Sequence, residues 1–410
     1  MNSNKEMTLI VGRGLSGQAA GALLEHFGWI PKRDLFYFDD QKERSDFTSI
    51  EELLKKPWKR LIISPGYPLS SPWIMRLSQE SVQLTSELDL GGQYLETEQT
   101  IALTGSVGKS TAAATLDYLL RKSSKRSFLG GNFGTPLCTY VLECLKGLRE
   151  RADFLVIEVS SFQLENLKHL WDWGLFTPFY PNHLDRYDSL EAYYSVKWRL
   201  LDLVKKQVLA SSHSGDLNAF CETHSHPKLK IIDADGFSSV LKFLLDNLGI
   251  NVNDSEFLDF PGLPHRLEKL KTREQILFIN DSKCTTLQGV RHALKELRVD
   301  RAIKSENIYL LLGGKDKSLD WENLLKDLNN ETIKLCFFGA LRSKLLKHFP
   351  HPFLHSDKLA HLLIELKPKL KKGDQVLLSP GGVSFDEFKD FNARGDYFKN
   401  FVKENFSCED

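Results

Sequence analysis

The chain has no uninterrupted run of 18 apolar residues, which excludes a membrane-spanning helix of ordinary length. It has no net charge: 54 Lys and Arg balance 54 Asp and Glu, so no field draws it toward nucleic acid or acidic lipid. Cysteine is scarce and unpatterned. The six thiols, Cys138, Cys144, Cys221, Cys284, Cys336 and Cys408, show neither CxxC spacing nor a zinc-like cluster. Reduced thiols in a cytoplasmic protein are the expectation. Residues 1–7 are polar and carry no apolar signal segment. Repeats and low-complexity tracts are absent, and the one basic string, residues 367–372, reads as a solvated linker.

What is present is a chain of 410 residues, 41% hydrophobic, long enough for two or three domains each with its own core. Short apolar runs alternate with helical stretches, which predicts an α/β architecture with parallel sheets. Strands are expected at residues 8–11, 35–38 and 61–63, with a helix over 19–27. A second series opens with strands at 100–103 and 154–157 and helices over 112–120 and 190–203. A third opens at 308–312 and continues through 334–338 and 376–378. The segment 260–265, with Pro261, Gly262 and Pro264, is expected to be a surface loop of the second series. The expected domains are residues 1–97, 98–299 and 300–410.

The strongest local signal is Thr104-Gly105-Ser106-Val107-Gly108-Lys109-Ser110-Thr111, between an apolar strand and a helical run. Glycines let backbone N–H groups turn around phosphate oxygens, and the helix N-terminus adds a favourable dipole. Lys109 can neutralise phosphate charge and the Ser110 hydroxyl can ligate magnesium. Only two residues separate the glycines, fewer than in the common phosphate-binding loop, and a plain glycine turn with a surface lysine is the bland alternative. Glu158 ends an apolar strand in the same series, where open α/β sheets place ligand residues, although an acid there can simply cap a helix. His183 lies in Asn182-His183-Leu184-Asp185-Arg186-Tyr187, and alone would be an ordinary loop histidine. Lys197 would ordinarily snorkel to solvent. Near a magnesium site its neutral amine could instead take up carbon dioxide, giving an anionic oxygen ligand suited to a hard cation.

In the first series Gly12-Arg13-Gly14-Leu15-Ser16-Gly17 follows the first strand and Asp39-Asp40 ends the second. Read alone this is a dinucleotide-binding fingerprint, so a hydride-transfer enzyme is the rival from another class. A downstream phosphate-binding loop is not explained by a dehydrogenase. A non-catalytic nucleotide-binding regulator is a third class.

Seven blocks in order, TGSVGKST, EVSSFQLE, NHLDRY, GLPHRLE, NDSKCT, LLLGGKDK and LLSPGGVSFDEFKDFNARGDYF, together resemble the Mur ligases. The second block and the terminal one resemble the D-glutamate-adding branch more than its sister ligases. The resemblance implies three domains: an N-terminal Rossmann-like domain for the UDP part of a substrate, a central ATPase-like domain, and a C-terminal Rossmann-like domain for the acceptor. It implies ATP-dependent joining of D-glutamate to UDP-N-acetylmuramoyl-L-alanine through an acyl phosphate, by a cytoplasmic monomer, with closure of the third domain excluding water. A sister ligase or a folylpolyglutamate synthetase-like ligase, with another acceptor, is the alternative within the family.

By resemblance, Gly105, Ser106, Val107, Gly108, Lys109, Ser110 and Thr111 would hold ATP phosphates, with Asn280, Asp281, Ser282 and Lys283 helping to bind the nucleotide. Ser110 and Glu158 would hold one magnesium ion, and His183 with a carbamylated Lys197 a second. Asn132 would lie near the reacting groups. Leu15, Ser16, Asp39, Gly66, Ser160 and Gln163 would bind the UDP substrate. Lys317, Ser384, Phe385 and Phe391 would bind the acceptor, with Lys344 a second candidate cation. Three departures stand out: Val107 replaces a usual Asn, Thr286 and Leu287 replace the usual continuation after the SKxT string, and SPGG replaces a commoner SPAC-type string.

Overall fold

The computed structural model describes residues 5–80, 82–184, 186–233, 236–299, 307–316, 319–328 and 332–408, with the side chains of Lys42, Arg298 and Val299 left out of account. The chain divides into two compact units, Met1–Phe260 and Pro261–Asp410.

The first unit contains two parallel sheets. Strands β1 (Thr8–Val11), β2 (Leu35–Phe38), β3 (Arg60–Ile63) and β4 (Gln83–Thr85) form a four-stranded sheet in the order β2-β1-β3-β4. Strands β5 (Gln99–Thr104), β6 (Ser127–Gly131), β7 (Phe154–Glu158), β8 (Trp173–Phe176), β9 (Val208–Ser211) and β10 (Leu229–Ile232) form the second, in the order β10-β9-β8-β5-β7-β6. Strands β1, β2, β7, β8 and β9 are buried at every residue. That is why their sequences read as continuous apolar runs and not as alternations. From β5 the chain builds β7 and β6 on one side and β8 to β10 on the other, so β5 stands at a topological switch point, where α/β sheets leave a crevice for ligands. The two sheets are joined by an apolar cluster in which Leu23 and Leu24 of helix Leu15–His26 pack with Leu137 and Val141 of helix Leu137–Leu145.

The second unit holds β11 (Glu268–Lys271), β12 (Leu277–Asn280), β13 (Ile308–Gly313), β14 (Ile333–Phe338), β15 (Leu354–His355) and β16 (Gln375–Gly381), ordered β11-β12-β16-β13-β14-β15. Among the described strand pairs of this sheet only β11–β12 is antiparallel.

This topology moves a boundary. Residues 261–299, read as central from the sequence, belong to the second unit, because β12 pairs in register with β16, Leu277 opposite Gln375 and Asn280 opposite Leu378. The segment 260–265 is a loop with Pro261, Gly262 and Pro264 exposed, as expected, but it lies at the junction of the two units, and His265 at its end is only 4% exposed. The helices expected over 19–27 and 112–120 start earlier, as Leu15–His26 and Lys109–Lys122, directly after their glycine turns. The stretch expected to be helical over 190–203 is α-helical over Leu190–Trp198 and then tightens to a 3₁₀ turn. Among the described residues no helix is long and apolar enough to cross a membrane.

Candidate active site

The glycine loop leaves the C-terminal end of β5. Gly105 has φ +157° and a Cβ there would stand 2.0 Å from Thr177 Oγ1, so the strand-to-loop turn admits no side chain. Gly108 has φ +78°, with nothing within 4 Å of where a Cβ would be, so this glycine serves the left-handed backbone and borders open space. The backbone N–H groups of Ser106 and Val107 donate to the Pro178 carbonyl at 2.9 and 3.4 Å, which fixes the outer half of the loop. Tyr180 N–H and Tyr193 Oη donate to Ser106 Oγ at 2.9 and 3.2 Å. Thr111 is exposed in the first turn of the following helix.

Behind the loop sits a buried polar set. Glu158, 1% exposed at the end of β7, accepts from Ser110 Oγ at 2.5 Å and from Asn132 Nδ2 at 2.7 Å. Lys109 Nζ donates to the carbonyls of Gly105 and Ser106 at 2.9 and 3.3 Å. Lys197 Nζ reaches the same Gly105 carbonyl at 2.8 Å from helix Leu190–Trp198. Lys197 does not snorkel: it is 1% exposed, with its amine 4.5 Å from the centre of the Tyr193 ring. Burial holds its pKa well below the lysine range, the nearby Lys109 charge lowers it further, and Glu158 opposes both. Glycine loop, Glu158, Asn132, Lys109 and Lys197 are thus brought together, with Ser110 between loop and acid.

His183 stands in a left-handed conformation, φ +56°, that costs a non-glycine residue energy and is held by its surroundings. Its carbonyl accepts from the N–H groups of Arg186 and Tyr187 at 3.0 and 3.1 Å. Its ring lies 4.8 Å from Phe162 and 6.0 Å from Tyr193. Tyr193 therefore packs against both His183 and Lys197.

The donor set suits a hard divalent cation at Ser110 and Glu158, a hydroxyl and a carboxylate side by side. No group of three His, Cys, Asp or Glu among the described residues is arranged to hold a metal. The remaining candidate ligands are His183 and Lys197.

A shallow pocket opens in the first unit between the two sheets' loop ends. Ser16, Ser64, Pro65, Tyr67, Glu87, Phe162, Gln163 and Asn166 line it, so two residues expected to bind the UDP substrate, Ser16 and Gln163, share one wall system. Ser160 and Gln163 also cap their own short helix: Gln163 N–H donates to Ser160 Oγ at 3.2 Å, and Ser160 N–H to Gln163 Oε1 at 2.9 Å. Leu15, 76% exposed, heads the helix after the first glycine turn. Asp39 accepts from Arg13 N–H at 2.7 Å and from Gln41 N–H at 3.0 Å, closing that turn. These backbone donors hold its carboxyl below the usual range against the opposing effect of desolvation. A Cβ at Gly66 would meet nothing within 4 Å, so Gly66 borders open space.

The remaining candidates lie in the second unit. Asn280 is fully buried and its Nδ2 sits 2.9 Å from His265 Nδ1 and 3.1 Å from the Gly395 carbonyl. Asp281 accepts from Ser379 Oγ at 2.8 Å, tying the ends of β12 and β16, and burial pushes its carboxyl up to about 7. Ser282 Oγ donates to the Phe391 carbonyl at 2.8 Å, and Lys283 Nζ stands 3.7 Å over the Phe391 ring. The nucleotide block and the acceptor block are therefore neighbours here. Ser384 is buried but does not cap the last helix. It opens a turn, its carbonyl accepting from Phe388 N–H at 2.8 Å, and helix Phe391–Asn405 is capped by Asp390, which accepts from Ala393 N–H. Phe385 is 70% exposed. Lys344 is paired with Asp316 at 2.7 Å. Lys317 lies outside the described residues.

Sequence reasoning passed over Arg394, fully buried, whose guanidinium donates to Ser282 Oγ, the Ser282 carbonyl and the Gly382 carbonyl at 3.0, 2.7 and 3.1 Å. Desolvation lowers its pKa to about 10. It also passed over Glu87, Glu165 and Arg186. All four stand inside motifs already quoted or beside a helix start; none announces burial through spacing.

The family profile described as Mur ligase middle domain matches residues 103–235. A UDP-N-acetylmuramoylalanine–D-glutamate ligase of Francisella tularensis subsp. tularensis is 30% identical over 426 residues, covering 98% of this chain and 97% of that protein. The corresponding ligase of the novicida subspecies is 30% identical over 427 residues with the same coverage. Among solved structures, the MurF ligase of Thermotoga maritima in complex with ADP has a TM-score of 0.62 at 14% identity, over 89% of this chain and 93% of that one. The UDP-N-acetylmuramate-alanine ligase MurC of the same organism has a TM-score of 0.58 at 16% identity, over 97% and 99%. Motifs, fold and full-length similarity agree: this chain belongs to the Mur ligases, in the family of the UDP-N-acetylmuramoylalanine–D-glutamate ligases.

Proposed function

We propose that the protein joins D-glutamate to UDP-N-acetylmuramoyl-L-alanine at the expense of ATP, in the cytoplasmic synthesis of peptidoglycan precursors. The observation that carries the chemistry is the buried Glu158 held between Ser110 and Asn132 directly behind a glycine loop that bears Lys109. A carboxylate and an amine do not condense in water at neutral pH, so the alanyl carboxylate needs activation. Its oxygen attacks the γ-phosphorus of ATP, ADP leaves, and an acyl phosphate results. The amine nitrogen of D-glutamate then attacks the carbonyl carbon, the amine gives up its proton, and inorganic phosphate leaves.

Lys109 lies where it can offset the charge that gathers as two anions approach. Ser110 and Glu158 would hold one magnesium ion, and His183 with Lys197 a second; magnesium, when bound, neutralises phosphate charge. Lys197 fits a carbamate better than an ammonium. A buried ammonium has three donors to satisfy, and among the described residues this one donates to the Gly105 carbonyl alone. Ser16, Gly66 and Gln163, around the pocket of the first unit, would take the UDP substrate, and Ser384 and Phe391 the acceptor.

Phosphate release, measured with UDP-N-acetylmuramoyl-L-alanine, ATP, magnesium and a panel of amino acids, tests this reading. Release with D-glutamate alone is expected. Release with L-alanine, L-lysine or meso-diaminopimelate, or with a folate and L-glutamate, would assign the protein to another ligase.

A further inference from the structure

Arg186 lies in the loop that carries His183, yet its side chain leaves that loop. One terminal nitrogen donates to the Pro65 carbonyl at 2.9 Å, beyond the end of β3 in the first sheet's domain. The other donates to Glu165 Oε2 at 2.8 Å, in the domain of the second sheet. The guanidinium lies 4.1 Å from the centre of the Phe162 ring. Glu165 is held in place from its other oxygen by Tyr187 Oη at 2.8 Å. Arginine and glutamate side chains are each 16% exposed, so this ion pair is shielded from water and is not a surface pair of little worth.

Two consequences follow from the geometry. The Pro65–Gly66 peptide is trans, so its C=O and N–H point in opposite directions. A carbonyl fixed on Arg186 aims the Gly66 N–H away from it. Among the described residues that N–H donates to no other group, and Gly66 borders open space beside the pocket. A cation on the carbonyl also polarises the peptide and makes its N–H a stronger donor. At the other end, the Arg186 backbone N–H closes the turn on the His183 carbonyl at 3.0 Å, and that turn holds His183 in its left-handed conformation. One residue thus grips the Pro65–Gly66 peptide, the Phe162–Glu165 segment and the His183 turn.

We propose that Arg186 is a positioning residue that aligns the Gly66 N–H for an anionic oxygen of the UDP substrate and locks that alignment to the His183 turn. The inference rests on the ligase reading above for the identity of the substrate. Its test uses the full-length protein with two variants, Arg186→Lys, which keeps the charge but cannot fork, and Glu165→Gln, which keeps the shape but breaks the ion pair. For Arg186→Lys the KM for UDP-N-acetylmuramoyl-L-alanine should rise on the order of tenfold and kcat should fall by a similar factor, with the KM values for ATP and D-glutamate within about twofold. Calorimetric titration with the UDP substrate alone, without turnover, should show the same order of weakening. Glu165→Gln should move both quantities the same way by less. If the variants lower Tm while substrate Kd and KM stay at wild-type values, Arg186 only holds the fold and the proposal is overturned. If the wild-type protein itself neither binds the UDP substrate nor turns it over, the ligase reading has failed, and that outcome is separate from the variants.

Discussion

Two turns in the first unit share one grammar, strand, glycine-rich loop, helix, and differ in what surrounds them. After β1, Gly12 to Gly14 leads into helix Leu15–His26; after β5, Gly105 to Gly108 leads into helix Lys109–Lys122. At the first turn the neighbouring strand ends in Asp39, which accepts the Arg13 N–H, so the loop is closed by an acid suited to hydroxyl groups. At the second, the neighbouring strand ends in Glu158, but its carboxylate is turned to Ser110 and Asn132, and two lysine amines meet on the Gly105 carbonyl. A helix N-terminus favours an anion in both places. On the proposed function the residues around it would decide which anion: a nucleoside diphosphate at the first, and a triphosphate with a metal at the second.

The comparison breaks most visibly at Lys109. Lys109→Ala should cut turnover by a factor on the order of 1000 and leave the Kd for the UDP substrate unchanged, because only the second turn has lost charge. Lys197→Ala should be nearly inactive as well, but formate or acetate should restore part of the activity by supplying the missing anion. A variant that no small carboxylic acid revives would remove the carbamate from the account.

The glycines sharpen the contrast. A Cβ at Gly17 would stand 1.9 Å from the Gly12 carbonyl oxygen, whereas one at Gly14 meets nothing within 4 Å. Gly17→Ala should therefore destabilise by about 3 kcal/mol, and Gly14→Ala should change stability by less than about 0.5 kcal/mol while weakening the UDP substrate. Gly108→Ala has space for its methyl but a left-handed backbone, so its cost should be about 1–2 kcal/mol. Urea unfolding of the three variants gives the ranking, and equal losses at Gly14 and Gly17 would contradict the packing described.

Much of this was legible in the sequence because it follows from local pattern. β1, β2, β7, β13 and β14 are apolar runs that end in polar or glycine-containing turns, and Lys109, Ser110 and Glu158 occupy fixed places relative to such strands. What was not legible depends on pairing or burial. β12 is an apolar run like the others, and only its hydrogen bonds to β16 assign it to the second unit. β11, Glu-Lys-Leu-Lys, has too little apolar character to be seen at all. Arg186 and Arg394 are single arginines within longer motifs, and nothing in their spacing says that one reaches from the loops of one sheet to those of the other and the other is fully buried. Ser384 precedes a helix that begins only after Asp390, a delay that local sequence does not show.

The smallest effect concerns the joint between the two turns. Glu87 begins the short helix that links the first sheet to the second, and its Oε1 accepts the Cys138 N–H at 2.6 Å. Burial raises its carboxyl from 4.5 to about 7. The unfolded chain therefore loses this proton first as pH rises, and stability falls between about pH 4.5 and 7 and is level above that. Glu87→Gln lacks that fall. Its Tm relative to wild type should rise by a few degrees between pH 5 and pH 8, and a constant difference across that range would show that the carboxyl is ionised in the fold.

The central claim is that the loop after β5 activates a carboxylate by phosphoryl transfer. It is tested most directly with UDP-N-acetylmuramoyl-L-alanine carrying ¹⁸O in its alanyl carboxylate. Turnover with ATP and D-glutamate should give ADP and inorganic phosphate containing one ¹⁸O atom, the oxygen that bridged the acyl phosphate. Phosphate free of label, or label appearing in AMP with release of pyrophosphate, would contradict it.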